Sequence, residues 1–89
     1  MKVSKSLLIG DLSFKYTNHS EPTLGLIVSK HYGNAVERNL FKRRCRYLFR
    51  KKFMNRDVEI ALIVRPKKQN IQFIEIQNAF GNLYEKIES

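Results

Sequence analysis

Apolar and polar residues alternate clearly at Leu12, Phe14 and Tyr16, with Ser13, Lys15 and Thr17 between them. This is the period-two pattern of a strand buried on one face. Residues 2–9 are mixed and read as a weaker strand, and TNHSEPT at 17–23 is a loop of turn formers closed by Pro22. LGLIVSK at 24–30 predicts another strand, with Leu24, Leu26 and Val28 on one face. HYGNA at 31–35 reads as a turn into a helix, with Gly33 supplying a positive-φ position and Asn34 the N-cap.

From Ala35 to about Met54 neither Gly nor Pro interrupts the chain, and the spacing is helical. At about 100° per residue, Phe41, Cys45, Leu48 and Phe49 share one arc. Arg38, Asn39, Lys42, Arg43, Arg46 and Arg50 fill the adjoining arc. DVEIALIV at 57–64 is a nearly continuous apolar run, as in a sheet interior, and RPKKQN after it reads as a loop. Residues 71–87 form the last helix, with Phe73, Ile76, Phe80, Leu83, Tyr84 and Ile87 at helical spacing. Gln72 and Glu75 have the spacing of a capping box with a poor cap residue. The order strands, helix, strand, helix predicts a two-layer α/β (α+β) sandwich over residues 1–89. A small mixed sheet would carry the basic helix in a parallel strand–helix–strand crossover, with the second helix at the C-terminus. Such crossovers are normally right-handed.

Leu, Ile, Val and Phe supply 28 of the 89 residues, enough for one small core. No apolar run approaches a membrane span, and Leu7-Leu8-Ile9 is too short for a signal-peptide core. The single cysteine, Cys45, excludes an internal disulfide and suits a reducing compartment, the cytoplasm. It lies on the apolar arc and reads as a buried small hydrophobe. His19 and His31 stand apart from any metal-ligand spacing, and no phosphate-cradling glycine loop is present. No catalytic residue, metal ligand or bound cofactor is therefore expected of the protein alone.

The formal net charge is +9, and all of it sits between Lys30 and Arg56, where ten basic residues accompany one acid, Glu37. Solubility requires no such clustering. A patch of one sign implies a polyanionic partner whose condensed counterions are released on binding.

Within this region VSKHYGNAVERNLFKRRCRYLFR (28–50) resembles the protein component of bacterial ribonuclease P. The matching positions are Gly25, Val28, Ser29, Lys30, Gly33, Ala35, Val36, Arg38, Asn39, Lys42, Arg43 and Arg46, with IVRP and IQFIEI fitting later segments. The resemblance implies a non-catalytic protein subunit whose partners are the catalytic ribonuclease P RNA and precursor tRNA. It implies no membrane and no small-molecule substrate. The RNA would perform Mg²⁺-dependent removal of the 5′ leader. The implied RNA contacts are Lys30, Arg38, Asn39, Lys42, Arg43, Arg46 and Arg50. Phe14 and Tyr16 match the strand lining the leader cleft, core burial being the alternative for each. The resemblance also implies a left-handed crossover in place of the usual hand. A structured-RNA binder of ribosomal-protein type would share these electrostatics without a processing role.

Two features depart from the family pattern. Only about ten residues precede the first clear strand, where the family carries a helix that walls the leader cleft. The expectation is weakened leader contact with docking on the catalytic RNA retained. In addition, the second Arg of the R-N-R run is Leu40 and the Glu after the basic run is Tyr47. These positions lie one above the other on the helix, either as a compensated swap at a packed edge or as a small exposed patch for a partner.

Overall fold

The structure is a computed structural model that describes residues 5–56 and 58–88. Strand β1 (Lys5–Ile9) turns back through Gly10 and Asp11 into β2 (Leu12–Asn18), Ile9 pairing with Leu12. A two-residue hairpin turn asks for a left-handed first residue, and Gly10 supplies it with φ +60°. β2 lies antiparallel to β4 (Ile60–Pro66), and β4 runs parallel to β3 (Thr23–Leu26). The mixed sheet therefore has the order β1-β2-β4-β3. A parallel neighbour cannot be reached by a tight turn. The chain crosses from β3 to β4 through helix α1 (Ala35–Phe49), and helix α2 (Phe73–Glu88) follows β4.

One face of the sheet meets both helices. Leu12 and Phe14 from β2, and Ile60, Leu62 and Val64 from β4, are all buried. Phe41, Cys45, Leu48 and Phe49 of α1 and Ile76, Ala79, Phe80 and Leu83 of α2 close over them. Phe14 meets Phe80 edge-on, with ring centroids 5.4 Å apart. Each fully buried Phe or Leu contributes roughly 1.5–3 kcal/mol relative to exposure, so this layer supplies most of the stability.

The boundaries differ from the sequence pattern where side chains are drawn toward the core. β3 stops at Leu26, although Ile27 still donates to the Val64 carbonyl at 3.0 Å. The chain then forms a 3-10 turn at Lys30–Tyr32, burying Tyr32 against Phe41 at 5.1 Å between centroids. The Tyr32 hydroxyl accepts the Ile71 amide at 3.3 Å, and burial raises its pKa above 10.0. β4 begins at Ile60 and continues through Arg65 and Pro66, so RP belongs to the sheet; Asp57 lies outside the described residues. α1 ends in a π-helical turn, Arg50–Met54, in which the Asn55 amide reaches back to the Arg50 carbonyl at 2.9 Å. α2 starts at Phe73, two residues after the expected start. Of the expected box, the Gln72 amide donates to Glu75 Oε2 at 2.8 Å. No helix among the described residues is long and apolar enough to cross a membrane.

Candidate nucleic-acid interface

The start of α1 is fixed by a complete capping box. The Glu37 amide donates to Asn34 Oδ1 and the Asn34 amide to Glu37 Oε1, each at 2.9 Å. Two orphan donors of the first turn are thereby satisfied. Gly33 does not have the expected left-handed backbone, because its φ of 161° is ordinary extended chain. The position needs glycine for space: a Cβ there would lie 2.5 Å from Glu37 Oε1, in the middle of the box. Arg38 Nη1 donates to the Gly33 carbonyl at 3.3 Å, which ties this half-buried guanidinium to the turn.

Beyond the cap the helix presents its charge outward. Asn39, Arg43, Arg46 and Arg50 are exposed, and Lys42 is half-buried at the margin of the same arc. Lys30 is exposed on the 3-10 turn before the helix. The six helix residues named from the sequence thus share one continuous surface, with Lys30 at its N-terminal end. Cations in the last turn are also favoured by the helix dipole. Arg44 turns away from this arc and lies over the Phe73 ring, 5.7 Å from its centroid.

A second group of cations is not evident from spacing. Ser29, His31, Arg65, Lys67 and Gln69 line a concavity between the 3-10 turn and the end of β4. Gln69 Nε2 spans it to donate to the His31 carbonyl at 2.7 Å. Lys68 shares the rim, but its ammonium is held by Asp11 at 3.1 Å and Glu75 at 3.0 Å. Arg65 and Lys67 thus offer positive charge in a recess suited to a phosphate. The sequence signal is the run Arg65-Pro66-Lys67-Lys68, which reads as a loop.

The sheet face opposite the helices carries Ser13, Lys15 and Thr17 from β2, registered against Arg65, Ile63 and Ala61 of β4. Phe14 and Tyr16 are not on it. Phe14 is 0% exposed beneath Phe80, so a leader contact by Phe14 is ruled out. Tyr16 points to the same side and is half-buried against the core. The period-two rule that buries Leu12 takes both aromatics with it. Lys15 and Ile63, paired across the two strands, are exposed on this surface together with Arg65.

The thiol of Cys45 is buried in the core, and burial pushes its pKa up to about 12. Among the described residues, no three His, Cys, Asp or Glu side chains converge as a metal site.

A cationic helix thus crosses between the parallel strands β3 and β4, and the sheet face opposite the helices is left open. The family model described as Ribonuclease P matches residues 3–88. The chain belongs to the ribonuclease P protein family. It is 32% identical over 73 residues to the ribonuclease P protein component of Finegoldia magna, covering 80% of this chain and 65% of that protein. The corresponding protein of Desulforapulum autotrophicum is 39% identical over 69 residues, covering 72% of this chain and 56% of that protein. The chain thus spans less than two thirds of the length of these curated relatives. The RNase P protein of Staphylococcus aureus superposes with a TM-score of 0.80 at 24% identity, covering 96% of this chain and 82% of that one.

Within the ribonuclease P protein fold, the two departures on α1 have distinct surroundings. Leu40 is half-buried beside Phe41, Ile71 and Gln72. Tyr47 is 52% exposed and leans on Phe73, with ring centroids 6.4 Å apart. The swap is therefore half-buried at Leu40, which lines a shallow concavity, and open at Tyr47.

Proposed function

We propose that the chain acts as the RNA-binding protein subunit of ribonuclease P. In this reading it assists a catalytic RNA in Mg²⁺-dependent removal of the 5′ leader from precursor tRNA. The observation that carries it is the outer face of α1, where Asn39, Arg43, Arg46 and Arg50 are exposed together without a carboxylate among them. A rigid helix with evenly spaced guanidinium groups follows a phosphate backbone, and each neutralised phosphate releases counterion. Lys30, Arg38 and Lys42 extend that face toward the cap.

The chemistry and the Mg²⁺ both belong to the RNA in this reading. The protein supplies charge and position. The uncovered sheet face, with Lys15 and the Arg65–Lys67 recess at one end, suits the single-stranded leader, whose backbone would pass the cations while its bases meet Ile63.

The test is cleavage of precursor tRNA by a bacterial ribonuclease P RNA at low Mg²⁺, with and without the protein. Clear stimulation is the expected result. Tight, salt-sensitive binding to the RNA without stimulation would reduce the function to docking. Absence of binding would overturn the assignment.

A further inference from the structure

Tyr47 occupies an unusual place on the helix. Its nearest neighbours on a helical surface are the residues three and four positions away. These are Arg43, Arg44, Arg50 and Lys51, all cationic. The ring is 52% exposed at the border of the cationic arc. Phe73 supports it from α2 at 6.4 Å, inclined by 45°, and is itself held by Arg44 at 5.7 Å. Lys51 Nζ rests 5.9 Å from the Tyr47 centroid, at the end of a flexible, exposed side chain.

We infer that Tyr47 is a stacking post for one unpaired base of the structured RNA that α1 binds. The inference rests on the function proposed above and names a specific contact within it. Stacking requires a flat ring, held in place and open on one side, with cations at hand for the flanking phosphates. Phe73 holds the ring. Lys51 is its displaceable cover: when a base enters, the ammonium moves to a phosphate. A protein partner on the same ring would have to desolvate four cations, and interface centres are depleted of charge for that reason. A polyanion neutralises the same four while its base covers the ring. At this position the chain departs from the family pattern, so the contact is specific to this sequence.

The test measures binding to the catalytic RNA of a bacterial ribonuclease P, with chemical probing of base accessibility. Tyr47→Phe keeps the ring and is expected to bind within about twofold of the parent. Tyr47→Leu keeps an apolar contact with Phe73 but removes the ring. It is expected to weaken binding about tenfold, with the salt slope unchanged and one nucleotide newly reactive in the complex. Thermal unfolding of each variant shows whether the fold is intact; Tyr47→Ala serves as a second ring-less variant. Unchanged affinity and probing with both ring-less variants would overturn the stacking post. The function would survive if Arg43→Gln/Arg50→Gln still weakened binding and lowered the salt slope. Failure of that charge variant as well would remove both. Loss of a parent dimer on sedimentation of Tyr47→Leu, with RNA binding unchanged, would reassign the surface to self-association and overturn the proposal.

Discussion

Phe49 and Phe53 stack in the core with ring centroids 5.2 Å apart and planes inclined by 24°. In a continuous α-helix four residues advance about 400°, which would carry Phe53 from the edge of the buried arc onto the cationic face. The π turn at Arg50–Met54 bonds to the fifth residue and winds more slowly, so Phe53 falls back over Phe49 and against Tyr84, 5.6 Å away. Arg50 and Lys51 stay exposed on the opposite side. Phe53→Ala is expected to cost about 3–5 kcal/mol of stability in urea unfolding. Phe53→Leu, which keeps much of the volume, should cost clearly less. Equal stability of Phe53→Ala and the parent would show that the turn is not held by this ring.

The strands and the cationic arc were legible because both are periodic in one dimension. Leu12, Phe14 and Tyr16 announce β2, and clustered Arg and Lys need no third dimension to be counted. β1 was weak because it is an edge strand: Leu8 is 67% exposed, so its apolar residues do not sort by face. The π turn was invisible, since Arg50–Met54 carries nothing unfavourable to an α-helix. The recess at Arg65 and Lys67 was hidden for another reason. It is built from two segments whose junction, Gln69 to His31, spans distant parts of the chain. That Phe14 and Tyr16 share the core-facing side of β2 with Leu12 follows from alternation.

Gly33 and Glu37 compete for the same space. Gly33→Ala places a Cβ against the Glu37 carboxylate and breaks the capping box, with an expected loss of about 1 kcal/mol. Glu37→Ala alone removes one of the two bonds. In the double variant the two losses should not add, because the carboxylate that meets the new methyl is gone. Additive losses in denaturant melts would mean that the Gly33 cost arises elsewhere.

Adjacent residues of β2 should separate stability from RNA contact. Phe14→Ala opens a cavity beneath Phe80 and is expected to cost about 3–5 kcal/mol. Lys15→Ala, on the uncovered face, should leave stability within about 0.5 kcal/mol. It should reduce the affinity gained when precursor tRNA carries a leader. A leader effect from Tyr16→Phe larger than that from Lys15→Ala would place the leader on the wrong side of the sheet.

Lys68 ties the β1–β2 turn to the start of α2 through Asp11 and Glu75. The Gln72 amide first, then Lys68, holds the Glu75 carboxyl below its ordinary value of 4.5. Its contribution to stability is thus complete above 4.5 and lost as pH falls through the lowered folded value. Hydrogen bonds to Glu75, then Asp11, raise Lys68 above 10.5, so its contribution is complete below 10.5 and lost as pH rises through the folded value. Glu75→Gln should flatten the acid limb of a Tm-against-pH profile, and Lys68→Met should flatten both limbs. The effects should be small and shrink with added salt, because the groups are exposed. An acid limb unaltered by Glu75→Gln would assign it to other carboxylates.

Cys45 offers a direct probe of core opening. Its thiol is fully enclosed by α1 and the sheet, and burial pushes its pKa up to about 12. Alkylation needs the thiolate and access together, and the native core denies both. At mildly alkaline pH, modification should therefore proceed through opening of the structure, slower than for a free thiol by on the order of a thousandfold or more. The rate should rise with urea in step with global unfolding. Cys45→Ala leaves only a small void, whereas Cys45→Ser buries a hydroxyl and should be the costlier substitution by about 1–3 kcal/mol if that group finds no partner. Rapid alkylation in the absence of denaturant, with the protein otherwise folded, would mean that α1 lifts from the sheet locally. In that case Phe14, Phe41 and the cationic face would not share one cooperative unit.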